Sequence, residues 1–202
     1  MKKLMIMAAF MVAAVTANAQ GEVGSLTIQP KIGMNLASVI NGKEIGGNKT
    51  KILVGMVGGI EAEYVVANKF SVALGALYSK QGCAFDVSYD YNHLSLDYLN
   101  IPIVANYYII PGLAIKAGIQ PSFLMGAKEK WKDNGDSDSE DVKKHLKKFD
   151  LAIPLGASYE YKNVVFDVRY NLSVLRLNKN DWDKNIRNSV IQFTLGYKLP
   201  IK

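Results

Sequence analysis

The stretch Lys51-Ile52-Leu53-Val54-Gly55-Met56-Val57-Gly58-Gly59-Ile60-Glu61-Ala62-Glu63-Tyr64 decides the fold. Ile52, Val54, Met56, Ile60, Ala62 and Tyr64 fall on one face, and Lys51, Gly55, Gly59, Glu61 and Glu63 on the other. Successive side chains of a strand point to opposite sides, so this period of two predicts a strand with one apolar face and one face of glycine and charge. A helix would scatter the same charges around its circumference.

Seven further segments repeat the pattern. Ser25 to Leu36 sets Leu26, Ile28, Ile32, Met34 and Leu36 against Thr27, Gln29, Lys31 and Asn35, and Phe70 to Lys80 lines up Phe70, Val72, Leu74, Ala76 and Tyr78. Leu94 to Tyr108 opposes Leu99, Ile101, Ile103, Ala105 and Tyr107 to Asn100, Pro102 and Asn106. Leu113 to Phe123 opposes Ile115, Ala117, Ile119 and Phe123 to Lys116, Gly118, Gln120 and Ser122. Phe149 to Tyr161, Val164 to Val174 and Val190 to Leu199 complete the set, with Asp150, Glu160, Asp167, Arg169, Gln192 and Lys198 on their polar faces. The connections alternate as well. Ala67-Asn68, Pro111-Gly112 and Lys162-Asn163 read as tight hairpin turns, whereas Val39 to Thr50, Gln81 to His93, Lys128 to Lys148 and Leu175 to Asn188 read as long polar loops.

An even number of strands with short turns at one end and long loops at the other predicts an all-β fold, an eight-stranded antiparallel up-and-down transmembrane β-barrel. Strands of ~10 residues, rising ~3.3 Å each and tilted ~45°, cross roughly 24 Å, close to the apolar thickness of an outer membrane. Closure also satisfies every backbone N–H within the wall, as lipid demands. Tyr64, Tyr78, Tyr107, Tyr108, Tyr159, Tyr161 and Tyr197 lie near strand ends, where an aromatic girdle is expected. A soluble periplasmic barrel of lipocalin type, its apolar faces turned inward on a hydrophobic ligand, has the same periodicity. The two differ in which face carries the charges.

The ends of the chain bear on that choice. Lys2 and Lys3, an apolar stretch from Leu4 to Val15, and Ala17-Asn18-Ala19 before Gln20 read as a secretory signal peptide over residues 1–19, leaving residues 20–202 as the outer-membrane β-barrel domain. The apolar stretch is shorter than the ~20 residues of a spanning helix. Composition agrees with one folded domain: 202 residues, 49% hydrophobic, 17 Gly, 6 Pro and one Cys exclude disorder, a collagen repeat and a disulfide scaffold. Basic residues number 24 against 18 acids, a dispersed excess that gives no basic face for nucleic acid. Cys83, without an intramolecular partner, reads as a small apolar filler or a loop thiol.

If the apolar faces meet lipid, then Lys31, Glu61, Glu63, Lys116, Asp150, Glu160, Asp167, Arg169 and Lys198 share a narrow interior. An eight-stranded barrel has room inside only for side chains, so these charges are expected to form a plugging network rather than line a pore. Arg169 suits bidentate pairing with carboxylates. For catalysis, His93-x-Ser95-x-Asp97 places a base, a nucleophile and an orienting carboxylate on one strand face. The run from Asp133 to Asp141 is rich in acids but lacks the order of an EF-hand, so it reads as a solvated loop with no metal. Trp131 and Trp182 in the third and fourth loops are candidates for a contact surface.

Asp97-Tyr98-Leu99-Asn100-Ile101-Pro102-Ile103, Gly156-Ala157-Ser158-Tyr159-Glu160-Tyr161-Lys162-Asn163, Asp167-Val168-Arg169-Tyr170-Asn171 and Gln192-Phe193-Thr194-Leu195-Gly196-Tyr197 resemble the PorT-like outer-membrane β-barrel family over essentially the whole mature chain. The resemblance implies an eight-stranded barrel with both termini in the periplasm, and no cofactor is expected. Its implied partners are outer-membrane lipid, the barrel-assembly machinery during insertion, and an envelope or type IX-like secretion component. The His-x-Ser pair separately resembles that of outer-membrane lipid A deacylases. The expected role is therefore structural or protein-interacting, the alternatives being a small-solute or hydrophobic-ligand transport barrel, a lipid A hydrolase using His93 and Ser95, and the lipocalin-like carrier.

Overall fold

The computed structural model describes residues 22–40, 44–45, 48–86, 91–133, 136–177 and 186–201; the leader at 1–19 and Trp182 lie outside them. Among the described residues eight barrel strands follow in chain order, beside short strands at Glu44–Ile45, Asn48–Lys51 and Asp136–Asp141 in the connections. The barrel strands are β1 (Leu26–Ile40), β2 (Leu53–Ala67), β3 (Phe70–Asp86), β4 in two runs (Tyr91–Asn100 and Ile103–Ile110), β5 (Leu113–Asp133), β6 (Phe149–Tyr161), β7 (Val164–Ser173) and β8 (Arg187–Tyr197, continued by Leu199–Ile201). Each pairs antiparallel with the next, and β8 pairs with β1, so the sheet closes on itself. The interruption in β4 falls at Ile101-Pro102, where proline has no N–H to offer the ladder.

The register fixes how the ring closes. From Leu26, the path across the wall through Tyr64, Val72, Ala105, Ala117, Leu155, Tyr170 and Ile191, each directly opposite the last, returns to β1 at Leu36, ten residues along. With ~4.8 Å between strands and ~3.3 Å per residue, that shear tilts the strands by about 40°.

Alternation then sorts the side chains. Ile32, Val54, Met56, Ile60, Leu74, Ile115, Leu155, Phe166 and Leu195 are exposed on the outer wall, whereas Lys31, Glu61, Glu63, Lys116, Asp150, Glu160, Asp167, Arg169 and Lys198 are buried inside it. This is the reverse of a soluble barrel, whose apolar residues fill the interior, so the charges settle the lipocalin alternative against itself. On the outer face the first charged side chains at the long-loop end are Lys80, Asp97, Lys128 and Arg187. Tyr64, Phe70, Tyr107, Tyr161 and Tyr197 are exposed near the short-turn end and form a girdle. Tyr108 does not belong to it. It falls on the inward face of β4 and is buried, because Tyr107 already holds the outward position.

The tight turns sit one residue from expectation at Asn68-Lys69 and as expected at Pro111-Gly112 and Lys162-Asn163. Lys162 and Asn163 both have positive φ, the twist of a two-residue hairpin turn. The long connections differ more. β3 and β4 run on to Asp86 and from Tyr91, and β5 continues to Asp133 and pairs with a returning strand, Asp136–Asp141. The acidic run expected to be a solvated loop is thus half of a β-ribbon, Lys128 opposite Asp141 and Lys130 opposite Ser139. A ribbon with two polar faces carries no apolar alternation, which is why the sequence pattern does not mark it.

Candidate functional site

The lumen is built in layers, because the inward residues of eight tilted strands meet at common heights. At the level of Arg169 on β7, the guanidinium donates through Nε to Asp167 Oδ1 at 2.9 Å and through Nη2 to Asp167 Oδ2 at 2.7 Å, and Nη2 also reaches Glu61 Oε2 on β2 at 2.9 Å. Lys116 on β5 donates to Asp167 Oδ2 at 2.6 Å, and Lys31 on β1 donates to the same oxygen at 3.0 Å while pairing with Glu61. Five charges from β1, β2, β5 and β7 therefore join across the cavity. Arg169 is 1% exposed and Asp167 2%, so each relies on these partners in place of water.

A second cluster lies nearer the short turns. Lys198 Nζ bonds Glu160 Oε2 at 2.7 Å, Glu63 Oε2 at 3.0 Å and Tyr108 Oη at 2.9 Å. Glu63 Oε1 accepts from Ser71 at 2.5 Å, Tyr108 at 2.6 Å and Asn106 at 3.2 Å. Ser71, Asn106 and Tyr108 complete the carboxylate's shell, yet attention to charge alone passes over them. Their position on the inward face of β3 and β4, opposite Glu63, is the signal that identifies them. Asp150 stands apart from both clusters, toward the long-loop end, and accepts from Ser173 Oγ and from the Leu151 N–H at 2.8 Å.

The mouth at that end is closed differently. Leu96, Tyr98, Leu124, Ala127 and Leu177 form an apolar cluster against which Leu94, Val142, Leu146 and Ile186 pack. Backbone bonds tie the covering segments down: Leu124 N–H to Lys148 at 2.8 Å, Lys147 N–H to Leu177 at 2.9 Å, and Leu177 N–H to Ile186 at 2.9 Å.

His93, Ser95 and Asp97 lie on β4 at the long-loop end, where the register shifts between Asp97 and Tyr98 against β5. The Asp97 carboxylate accepts from Tyr78 Oη at 2.7 Å and lies 3.9 Å from Lys80 Nζ. Its hydrogen-bonding is thus directed across to β3, and Ser95 is buried at 5% exposure. Partial burial, reinforced by Lys130 and Lys80, lowers the His93 pKa from its ordinary value. Cys83, on the outer extension of β3 past Lys80, is fully buried, and burial with help from Glu129 pushes its thiol up to about 12. Trp131 belongs to the ribbon strand, and its partner across the ribbon is Asp138.

Comparison with known proteins adds family and fold. The model of the outer membrane protein beta-barrel domain family matches residues 18–177. Ail, the attachment invasion locus protein of Yersinia pestis, is 18% identical, with 88% of this chain and 100% of that chain covered at a TM-score of 0.51. Neisserial surface protein A is 16% identical over 86% of this chain and 97% of that one, at a TM-score of 0.50. At such identities the likeness concerns the fold. A search of curated proteins gives no significant match.

Proposed function

Because the chain belongs to the outer membrane protein beta-barrel domain family, a family of bacterial outer-membrane barrels, we propose that it acts as a non-conducting barrel whose rims bind other envelope proteins. The observation that carries this reading is the ion-pair layer. Lys31, Glu61, Lys116, Asp167 and Arg169 meet from four strands and occupy the middle of a lumen that is only side-chain wide. Separating such pairs to admit a solute would leave charges uncompensated in a low-dielectric interior. A plugged lumen turns attention to the surfaces outside the membrane, the ribbon of β5 with Asp136–Asp141 and the short periplasmic turns.

An accessory to a secretion apparatus of type IX character is the partner class we favour, on the resemblance of the β4, β6, β7 and β8 motifs to PorT-like barrels. A lipid A hydrolase finds less support, since the carboxylate that would orient His93 is engaged by Tyr78. The test is site-specific photocrosslinking in intact cells, with probes at Glu140 on the ribbon and at Lys162 in a turn. A discrete envelope partner at either site is the expected result. A barrel that crosslinks to nothing at both sites, with lipid A altered by its expression and restored by Ser95→Ala, overturns the reading in favour of the hydrolase.

A further inference from the structure

Above the ion-pair layer, and below Asp150 and the apolar cap, five inward-pointing side chains are amides. Asn35 stands opposite Gln192 across β1 and β8, Asn171 Nδ2 donates to Gln192 Oε1 at 3.4 Å, and Asn100 and Gln120 enter from β4 and β5 on the far side of the ring. The shear raises each successive strand by about one and a quarter residues, and with that tilt the five amides fall within about one residue's rise of a common level. They are deeply buried: Asn35 and Asn100 are 0% exposed, Gln120 and Gln192 1%, and Asn171 3%.

Each still keeps an atom with no protein hydrogen-bond partner among the described residues. These are Asn35 Oδ1, Asn100 Nδ2 and Oδ1, Gln120 Oε1, Asn171 Oδ1 and Gln192 Nε2, with Arg169 Nη1 just beneath. Reversing the amides does not remove the shortage. Asn100 lacks a partner at both atoms, and turning over Asn171 and Gln192 together frees one atom for each that it satisfies. Alternation brings Gly33, Gly59, Gly75, Gly118 and Gly156 to the inward positions directly below, so these strands contribute no side chain of their own there, and Glu61 lies over Gly75 and Arg169 over Gly156. A Cβ at Gly118 would meet the Ile103 carbonyl, and one at Gly59 the Ala76 carbonyl, so the close approach of the strands requires glycine at these positions.

From these seven atoms we infer that the section of the lumen between the ion-pair layer and the apolar cap is a built water site. Three of them are donors (Arg169 Nη1, Asn100 Nδ2, Gln192 Nε2) and four are acceptors. A bare anion would serve only the donors and a metal cation only the acceptors, whereas water does both. At about three hydrogen bonds per buried water, two or three waters answer the set. The ion-pair layer bounds them on the periplasmic side and the Leu96, Leu124 and Leu177 cluster on the outer side. The block to passage thus comes from two thin closures on either side of a hydrated section.

The test is water-to-protein cross-relaxation NMR on the folded wild-type barrel in detergent micelles, read at the side-chain amide protons of Asn100 and Gln192. Bound-water cross-peaks at both are expected. Asn100→Leu, similar in size and without hydrogen-bonding atoms, should weaken the Gln192 cross-peak at least severalfold. Absence of water cross-peaks at both amides in the wild type overturns the inference whether or not the variant folds, as does a Gln192 cross-peak unchanged in a folded Asn100→Leu barrel. The inference leans on the plugged-lumen reading for the lifetime of these waters and not for their presence. Conductance in planar bilayers with cross-peaks intact would therefore defeat that reading alone, and a silent barrel without cross-peaks would defeat the water site alone.

Discussion

The two ends of the lumen are closed by opposite means. Toward the periplasm Arg169, Asp167, Glu61, Lys31 and Lys116 hold one another by charge, and Lys198, Glu63, Glu160 and Tyr108 repeat the device one level below. Toward the outside, Leu96, Leu124 and Leu177 close the mouth by burying apolar surface. The wall explains the difference. Within the membrane the outer face must be apolar, so alternation gives the polar residues to the lumen, where each charge must find a partner. Beyond the first outward charges at the long-loop end both faces can meet water, and an ordinary small apolar core can form inside.

The comparison is broken most strongly at Arg169. Arg169→Leu removes the group that joins Glu61 to Asp167 and should destabilise the folded barrel by roughly 3–5 kcal/mol, as loss of one buried partner does. Urea titration of the folded barrel in micelles, followed by tryptophan fluorescence and by mobility of unboiled samples, reads the loss. A change below about 1 kcal/mol would mean that the layer is not mutually dependent. Leu96→Ala in the cap should cost less, about 2–3 kcal/mol, because the mouth can partly settle into the space left. The variant should also make the amide protons of Leu177 and Lys147 exchange faster while leaving those around Arg169 protected, and equal loss of protection at both places would show the two closures to be one unit.

A smaller effect sharpens the boundary between the regions. Tyr78→Phe deletes one hydrogen bond to Asp97 at the long-loop edge of the apolar band and should cost about 1 kcal/mol by the same titration. The smallest concerns reactivity. With its thiol buried and held up near 12, Cys83 stays protonated from pH 7 to pH 9, so maleimide should label it only after unfolding. Rapid labelling of the folded barrel at pH 8 would show the extension of β3 to be open.

Most of the wall was legible as sequence. The alternation in Lys51 to Tyr64 places Glu61 and Glu63 inside and Ile60 and Tyr64 outside, as the strands do, because a membrane barrel leaves the period of two unbroken. Where both faces are polar, as from Lys128 to Asp141, the period vanishes and the ribbon goes unmarked. The register shift at Asp97 and Tyr98 arises from pairing with β5 and has no local sign in β4. Which inward residues meet is harder still to read. Lys31 and Asp167 are 136 positions apart, and their contact depends on a ring closed with a shear of ten. Tyr108 shows the same limit on a small scale, since proximity to a strand end suggests a girdle while the parity set by Tyr107 sends it inward to Glu63.

The most direct test of a closed lumen is electrical. The purified, folded wild-type barrel, inserted in planar bilayers, should show no discrete conductance steps, and steps should emerge when Arg169→Ser is combined with Leu96→Ser so that both closures are weakened together. Regular steps in the wild type that persist unchanged in the double variant would contradict the account, for they would mean that ions pass by a route the ion pairs and the cap do not block.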